Sequence, residues 1–319
     1  MHEWLHFFER TFPSANMTLI RGPRPVLIDT GFGSDFQETA FLLESVGLKP
    51  GDLQLAANTH YHADHAGGNH GLQTRHNIQI AAHRWEAALV NRRDPDACAS
   101  EWLNQPVESY TVDMWLNDGD VIDTGQVQLQ VIHTPGHTLG HVCYYADGVL
   151  ICGDAYHAND VAWLNSFREG VGAINRTMES LDKLALLPLK VSYSGHGKPA
   201  LKPLDAIDAA RRRYEMWLDE PEKIGWHACK RIFTYALMLH DGMTADEIEA
   251  YLLRSHWFVD FSRHVFHSDP ADFVQPLLDE IIRSRAGEWR EGRLYPKVHY
   301  NPPDLIWAAS VPRPRQWPK

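Results

Sequence analysis

Six consecutive residues, His60-Tyr61-His62-Ala63-Asp64-His65, bring together three imidazoles and a carboxylate, followed at once by Ala66-Gly67-Gly68. Imidazole and carboxylate donors together suit Zn²⁺ and also accept Fe or Mn. The preceding Leu53-Gln54-Leu55-Ala56-Ala57-Asn58 reads as a short, largely apolar strand bounded by a turn. Side chains alternate along extended backbone, so His60 and His62 point the same way if the strand geometry persists. Asp64 and His65 then turn toward a second position, and the two glycines let the backbone pass close by. That arrangement could hold two metal ions. Histidine is plentiful, 19 in 319 residues, so some pairs fall close together by chance. An H-x-H-x-D-H string is far denser than scatter.

Three further groups follow strands, where α/β proteins gather their sites. Thr134-Pro135-Gly136-His137-Thr138 places a histidine in a tight turn. Cys152-Gly153-Asp154-Ala155 places an aspartate after an apolar strand, and Ser194-Gly195-His196-Gly197 sets a histidine between glycines. Each alone is a weak signal. Together with the first string they supply seven ligands, which divide naturally as His60, His62 and His137 on one ion, Asp64, His65 and His196 on the other, and Asp154 between them. Asp29, at the end of Val26-Leu27-Ile28, either caps a turn or orients a ligand or lysine.

Asp29, the H-x-H-x-D-H string at 60–65, His137, Asp154 and His196 resemble, in order and spacing, the five motifs of the metallo-β-lactamase-fold hydrolases, over residues from about 17 to 200. The resemblance implies an α/β fold, a four-layer αββα sandwich with the site at one edge of its two sheets. The bridging Asp154 is similar to the glyoxalase II, lactonase and ribonuclease branches; true β-lactamases lack an aspartate there. His62 in place of a glutamate argues against the flavodiiron branch, and His196 argues against the mononuclear persulfide dioxygenases.

The elements that must position these residues are partly legible. Met17–Ile20 and Val26–Ile28 flank a Gly/Pro turn and read as a hairpin. A helix carries Phe36, Ala40, Leu43 and Val46 and stops at Gly47. Residues 85–117, irregular and rich in aromatics, read as an insertion or long connection rather than core sheet. Strands are expected at 127–132, 142–145, 149–152 and 189–194, and a helix bears Ile174, Met178, Leu181 and Ala185. This alternation gives a catalytic domain over 1–218. Residues 222–319 form a smaller, mainly helical, winged-helix-like domain. In it Thr244-Ala245-Asp246-Glu247 is a capping box, 286–295 a β-wing, and the Pro-rich tail from 301 runs extended.

The composition, 44% hydrophobic and 22% charged, is that of an ordinary globular protein. The N-terminus lacks a signal-peptide pattern and no stretch is long and apolar enough to span a membrane, so a cytoplasmic location is expected. Four cysteines without C-x-x-C spacing read as reduced, buried thiols. The net charge of −11 arises entirely before residue 222. Neither part has a basic stripe, and Arg211-Arg212-Arg213 fans around a helix, which argues against a nucleic-acid partner.

The expected chemistry is hydrolysis of a small ester, thioester or lactone by a hydroxide bridging two divalent ions, most readily Zn²⁺. Asp64 and Asp154 are the catalytic carboxylates, either able to shuttle a proton. A phosphodiesterase or single-strand ribonuclease using the same site is the alternative, and an idle ligand-sensing protein the third. His141, Tyr156 and His157 either donate to an oxyanion or pack behind the ligands. Trp163, Leu164, Phe167, Trp226, Trp257, Phe258 and Phe261 either line a pocket or join the two domains. The C-terminal part is a wall over the site or a homodimer contact.

Overall fold

A computed structural model describes residues 3–169, 172–220 and 222–318. Two sheets stack face to face. The first has six strands in spatial order, β1 (Leu5–Phe8), β2 (Met17–Ile20), β3 (Val26–Ile28), β4 (Leu55–Ala57), β5 (Gln79–His83) and β6 (Met114–Leu116). β1 to β3 pair antiparallel and β3 to β6 parallel. The second contains β7 (Val121–Asp123), β8 (Gln128–His133), β9 (Val142–Ala146), β10 (Val149–Gly153) and β11 (Val191–Ser194), in the order β11-β10-β9-β8-β7. Only β10 and β11 run parallel there.

Alternation of side chains divides each strand between two apolar cores. Val26, Ile28, Leu55 and Ala57 face Leu129, Val131, Val149 and Ile151 across the gap between the sheets. Leu27, Ala56 and Ile80 face outward onto α1 (Phe36–Ser45), α3 (Asn69–His76) and α4 (Arg84–Asn91), which follow the four-residue α2 (Ala63–Ala66) or precede it. On the far side, Leu150 and Cys152 pack against α7 (Gly172–Ala185) and α8 (Pro203–Asp219), while α5 (Ser100–Leu103) and α6 (Ser166–Glu169) are short connecting turns. The four layers are therefore helix, sheet, sheet, helix. Because both faces of these strands are covered, they read as apolar runs, as parallel strands buried on two sides do.

The C-terminal part comprises α9 (Glu222–Leu239), α10 (Ala245–Arg254), α11 (His256–Asp260) and α12 (Pro270–Arg283), with a three-stranded sheet of β12 (Met243–Thr244), β13 (Gly287–Arg290) and β14 (Arg293–Pro296). The capping box forms: Thr244 Oγ1 accepts from Glu247 N, and the Glu247 carboxylate accepts from Thr244 N. The core here joins Ile232, Phe233, Trp257, Phe258, Leu277 and Leu294 with Trp102 and Leu103. No described helix is long and apolar enough to cross a membrane.

Two expectations need correction. Residues 85–117 are not wholly an insertion, because they contain α4 and the edge strand β6, paired parallel to β5. β6 is three residues long and leaves Met114 and Trp115 exposed, so it carries little period-2 signal. The tail is not extended. Asp304 caps α13 (Leu305–Ser310) by accepting from Ile306 N and Trp307 N. Arg313 donates to the carbonyls of Ser100 and Gln105, and Trp317 is buried against the first sheet's helical layer. The boundary expected between 218 and 222 includes residue 221, outside the described residues.

One buried acid ties α4 to the loop after β8. Glu86 Oε1 accepts a hydrogen bond of 2.6 Å from Thr138 Oγ1, and Glu86 is only 2% exposed. Burial raises its pKa from 4.5 to about 8, against the opposing effect of the Thr138 hydrogen bond. The unfolded chain loses this proton near pH 4.5 while the folded chain keeps it to about 8, so this group's contribution to stability falls as pH rises through that window. Glu86→Gln removes the titration. Denaturant unfolding of the two proteins should show the variant gaining on the wild type steadily from pH 5 to 8; a constant difference would refute this.

Candidate metal centre

The site is built at one edge of the sandwich, where several strands end together. The turn after β3 carries Asp29, the loop from β4 to α2 carries His60 and His62, α2 itself carries Asp64 and His65, and the loop after β8 carries His137. Asp154 directly follows β10, and His196 follows β11. All seven residues expected to act as ligands meet here. His60 Nε2 lies 3.1 Å from His62 Nδ1, which lies 2.9 Å from His137 Nε2. His196 Nε2 is 3.2 Å from Asp64 Oδ2 and 3.7 Å from Asp154 Oδ2. His65 Nε2 is 3.6 Å from Asp64 Oδ2 and 3.5 Å from Asp154 Oδ1. Asp154 Oδ2 is also 3.7 Å from His137 Nε2, so this carboxylate faces both clusters.

Donors about 2.0–2.2 Å from a tetrahedral cation stand roughly 3.3 Å from one another, close to these separations. Tautomers give a second test of fit. His137 Nδ1 donates 2.7 Å to the Trp163 carbonyl, which has no proton to give, so in the neutral ring Nε2 offers its lone pair inward. His65 Nδ1 donates 2.8 Å to Asp29 Oδ2, and its buried Nε2 has no hydrogen-bond partner. The Nε2 atoms of both rings therefore point into the cluster, where a cation would take them as donors. The donor set fits divalent metal.

Electrostatics agree. Burial holds the pKa values of His60, His62 and His137 down, so these rings are neutral donors at pH 7. Burial disfavours the Asp154 carboxylate, but His196, His65 and His157 outweigh it and hold its pKa well below the carboxylate range. Burial likewise opposes the His65 imidazolium, yet Asp64, Asp29 and Asp154 lift its pKa to about 10. With no metal ion, positive charge is demanded where Nε2 points.

The backbone is shaped for this crowding. A Cβ on Gly195 would lie 2.4 Å from both Asp154 Oδ1 and His65 Cε1, and one on Gly68 would meet the Thr30 carbonyl at 2.4 Å. Asp29 orients its loop twice over, accepting from Thr59 N and Thr59 Oγ1 at 2.8 Å each. His141 is a packed support: Nε2 accepts from Asp154 N at 3.0 Å, and Nδ1 lies 2.8 Å from Thr134 Oγ1. Tyr156 is fully buried away from the cavity, whereas His157 lines it, 3.3 Å from Asp154 Oδ1.

A cavity of about 320 Å³ opens on the cluster. Of the seven aromatic and apolar residues considered for its wall, Trp163 is the one that lines it. Its ring stacks on His62 at 5.5 Å and meets His137 edge-on at 5.2 Å. Trp226, Trp257, Phe258 and Phe261 belong to the C-terminal core, and Leu164 packs beneath the second sheet. Sequence reasoning missed Phe12, which stacks on His196 at 4.9 Å, and the Trp163 carbonyl, since no residue type announces a main-chain acceptor. Arg211 and Arg213 do fan apart, pairing with Asp182 and Asp160.

The sequence model of the metallo-beta-lactamase superfamily matches residues 10–196. The chain is 35% identical over 133 residues to a hydroxyacylglutathione hydrolase of Maricaulis maris, covering 41% of this chain and 43% of that one. It is 32% identical over 198 residues to an acyl-coenzyme A thioesterase of Gallus gallus, covering 53% and 68%. The first match thus spans less than half of that relative's length. A solved metallo-beta-lactamase family protein from Thermus thermophilus has the same fold across 93% of this chain and 99% of its own, with TM-score 0.57 at 21% identity. A subclass B3 metallo-beta-lactamase of Bradyrhizobium japonicum gives 0.53 at 20% identity, over 65% and 88%. By its ordered donor set, its sandwich and the match over residues 10–196, the chain belongs to the metallo-beta-lactamase superfamily.

Proposed function

We propose that this chain is a dinuclear-metal hydrolase of small thioesters or esters. The observation that carries the reading is the convergence of seven donors, His60, His62 and His137 in one group and Asp64, His65 and His196 in another, with Asp154 within 3.7 Å of His137, His65 and His196 and with the Nε2 atoms of His65 and His137 turned toward the cluster. His60, His62 and His137 would hold one ion and Asp64, His65 and His196 the other, with Asp154 placed to reach both. Zn²⁺ fits the nitrogen-rich first group, and Fe or Mn is compatible with it. Divalent ions there would supply a water of lowered pKa as nucleophile and a Lewis acid for the carbonyl oxygen.

The chain's own residues do the rest. Asp154 and Asp64 stay ionised, so either can take a proton at a carboxylate oxygen and return it to the departing sulfur or oxygen. Trp163 and Phe12 flank the histidines and keep bulk water from one side of the cavity. Asp29 holds the His65 ring in the orientation that presents Nε2. The similarity to a thioesterase and a hydroxyacylglutathione hydrolase supports a thioester before a lactone.

Two measurements test this. Metal content should be two ions per chain, and the loaded protein should cleave a thioester faster than a lactone, a bis-aryl phosphodiester or RNA. Asp64→Ala should lose metal and turnover together; full activity in a metal-free variant would refute the reading, and faster cleavage of RNA would replace it with the nuclease alternative. Asp29→Ala should weaken metal binding about 10–100-fold, as loss of a group orienting a histidine ligand does, measured by competition with a chelator.

A further inference from the structure

The cavity that opens on the metal centre is divided in charge. Asp64 and Asp154 turn their carboxylates toward the histidine donors, which leaves Asp160 as the other acid in its wall among the described residues. Asp160 is shared between two helices: Oδ1 pairs with Arg213 of α8 and Oδ2 with Arg231 of α9. One carboxylate between two guanidiniums leaves a positive charge uncompensated. Arg231 lines the cavity with its side chain 46% exposed, and its guanidinium retains donors beyond those Asp160 can accept from. Lys198, two residues after His196, adds a second cation to the cavity lining.

The same helix supplies the opposite character. Arg231, Ile232, Thr234, Tyr235 and Met238 all line the cavity, at the spacing of one helical face. From Arg231 to Met238 the helix rises about 10 Å, and the wall passes from guanidinium to apolar side chain. Leu103 of α5 belongs to that wall as well. A substrate reaching the metal centre therefore lies against a surface that is cationic at one end and greasy at the other. The cations sit where a carboxylate or phosphate would gain charge-assisted hydrogen bonds in a partly dry site.

We propose that Arg231, assisted by Lys198, forms an anion subsite, so that this hydrolase acts on thioesters bearing a carboxylate or phosphate on one half and an apolar group on the other. The proposal rests on the thioester reading above, and binding of inert analogues separates the two. The probes are thioethers, which cannot be hydrolysed, titrated calorimetrically into the metal-loaded protein. One pair has an alkyl group on glutathione or on its dicarboxamide, placing the anion on the thiol half. The other has a carboxyalkyl group, or its amide, on N-acetylcysteamine, placing the anion on the acyl half.

In at least one pair the charged probe should bind about tenfold or more tightly than its amide, and that pair shows which half carries the anion. Arg231→Met should shrink the margin to below about threefold, Arg231→Lys should retain most of it, and Lys198→Met should reduce it in part. Retention by Arg231→Lys shows that charge, rather than a collapsed loop, is responsible. Equal binding of charged and amide probes in both pairs would overturn the subsite, as would a margin that survives Arg231→Met. A preserved margin in a protein that cleaves no thioester would leave the subsite standing and refute the hydrolase reading instead.

Discussion

Three carboxylates, Asp29, Asp64 and Asp154, converge on the fully buried ring of His65, at 2.8, 3.6 and 3.5 Å. Negative charge held this densely out of water is strongly unfavourable unless a cation shares the space. The rest of the fold makes that concentration tolerable. Asp29 is held by two donors from Thr59, Asp154 by its own backbone bond to His141, and the histidines by Trp163 and Phe12 on the outer side. A scaffold that brings three acids and five histidines to one edge needs strands that end together, and the parallel β3-β4-β5 and β10-β11 pairs provide such ends.

One loop ties the helices that follow the matched region to this arrangement at several points. The segment after Asp154 presents the Asp160 carboxylate to Arg213 and Arg231, the Val161 carbonyl to His227, and the Trp163 carbonyl to His137. Helices outside the family's matched region thereby bear on a donor inside it. Tyr235 of α9 makes a similar tie, donating at 2.8 Å to the Pro13 carbonyl beneath Phe12. Substrate selection and metal geometry share one wall, which is why the aromatic residues near the site serve packing first and pocket lining second.

The legible part of the site consisted of residues whose chemistry is declared by type and spacing. His60, His62, Asp64 and His65 are close in sequence because one strand end and one short helix place them, so the pattern survives in one dimension. His137, Asp154 and His196 were legible because each follows a strand and stands beside a glycine, of which Gly195 has no room for a side chain. Illegible residues were those whose role depends on burial. Glu86 and β6 fall in the stretch that reads as irregular, and Phe12 reads as one aromatic among many. Trp257, Phe258 and Phe261 looked equally fit for pocket or core, since an apolar side chain carries no mark of which cavity it will fill.

What the sequence by itself determined is the donor set: imidazoles and carboxylates in this order and at these spacings mark a metal centre, because ligand identity and local periodicity are encoded along the chain. Only the tertiary structure decided which lone pairs face inward, which aromatic ring covers the histidines, and that Arg231 and Asp160, 71 positions apart, meet beside the cavity. Those outcomes depend on contacts between distant segments and on the exclusion of water, and neither is a property of any single stretch of residues.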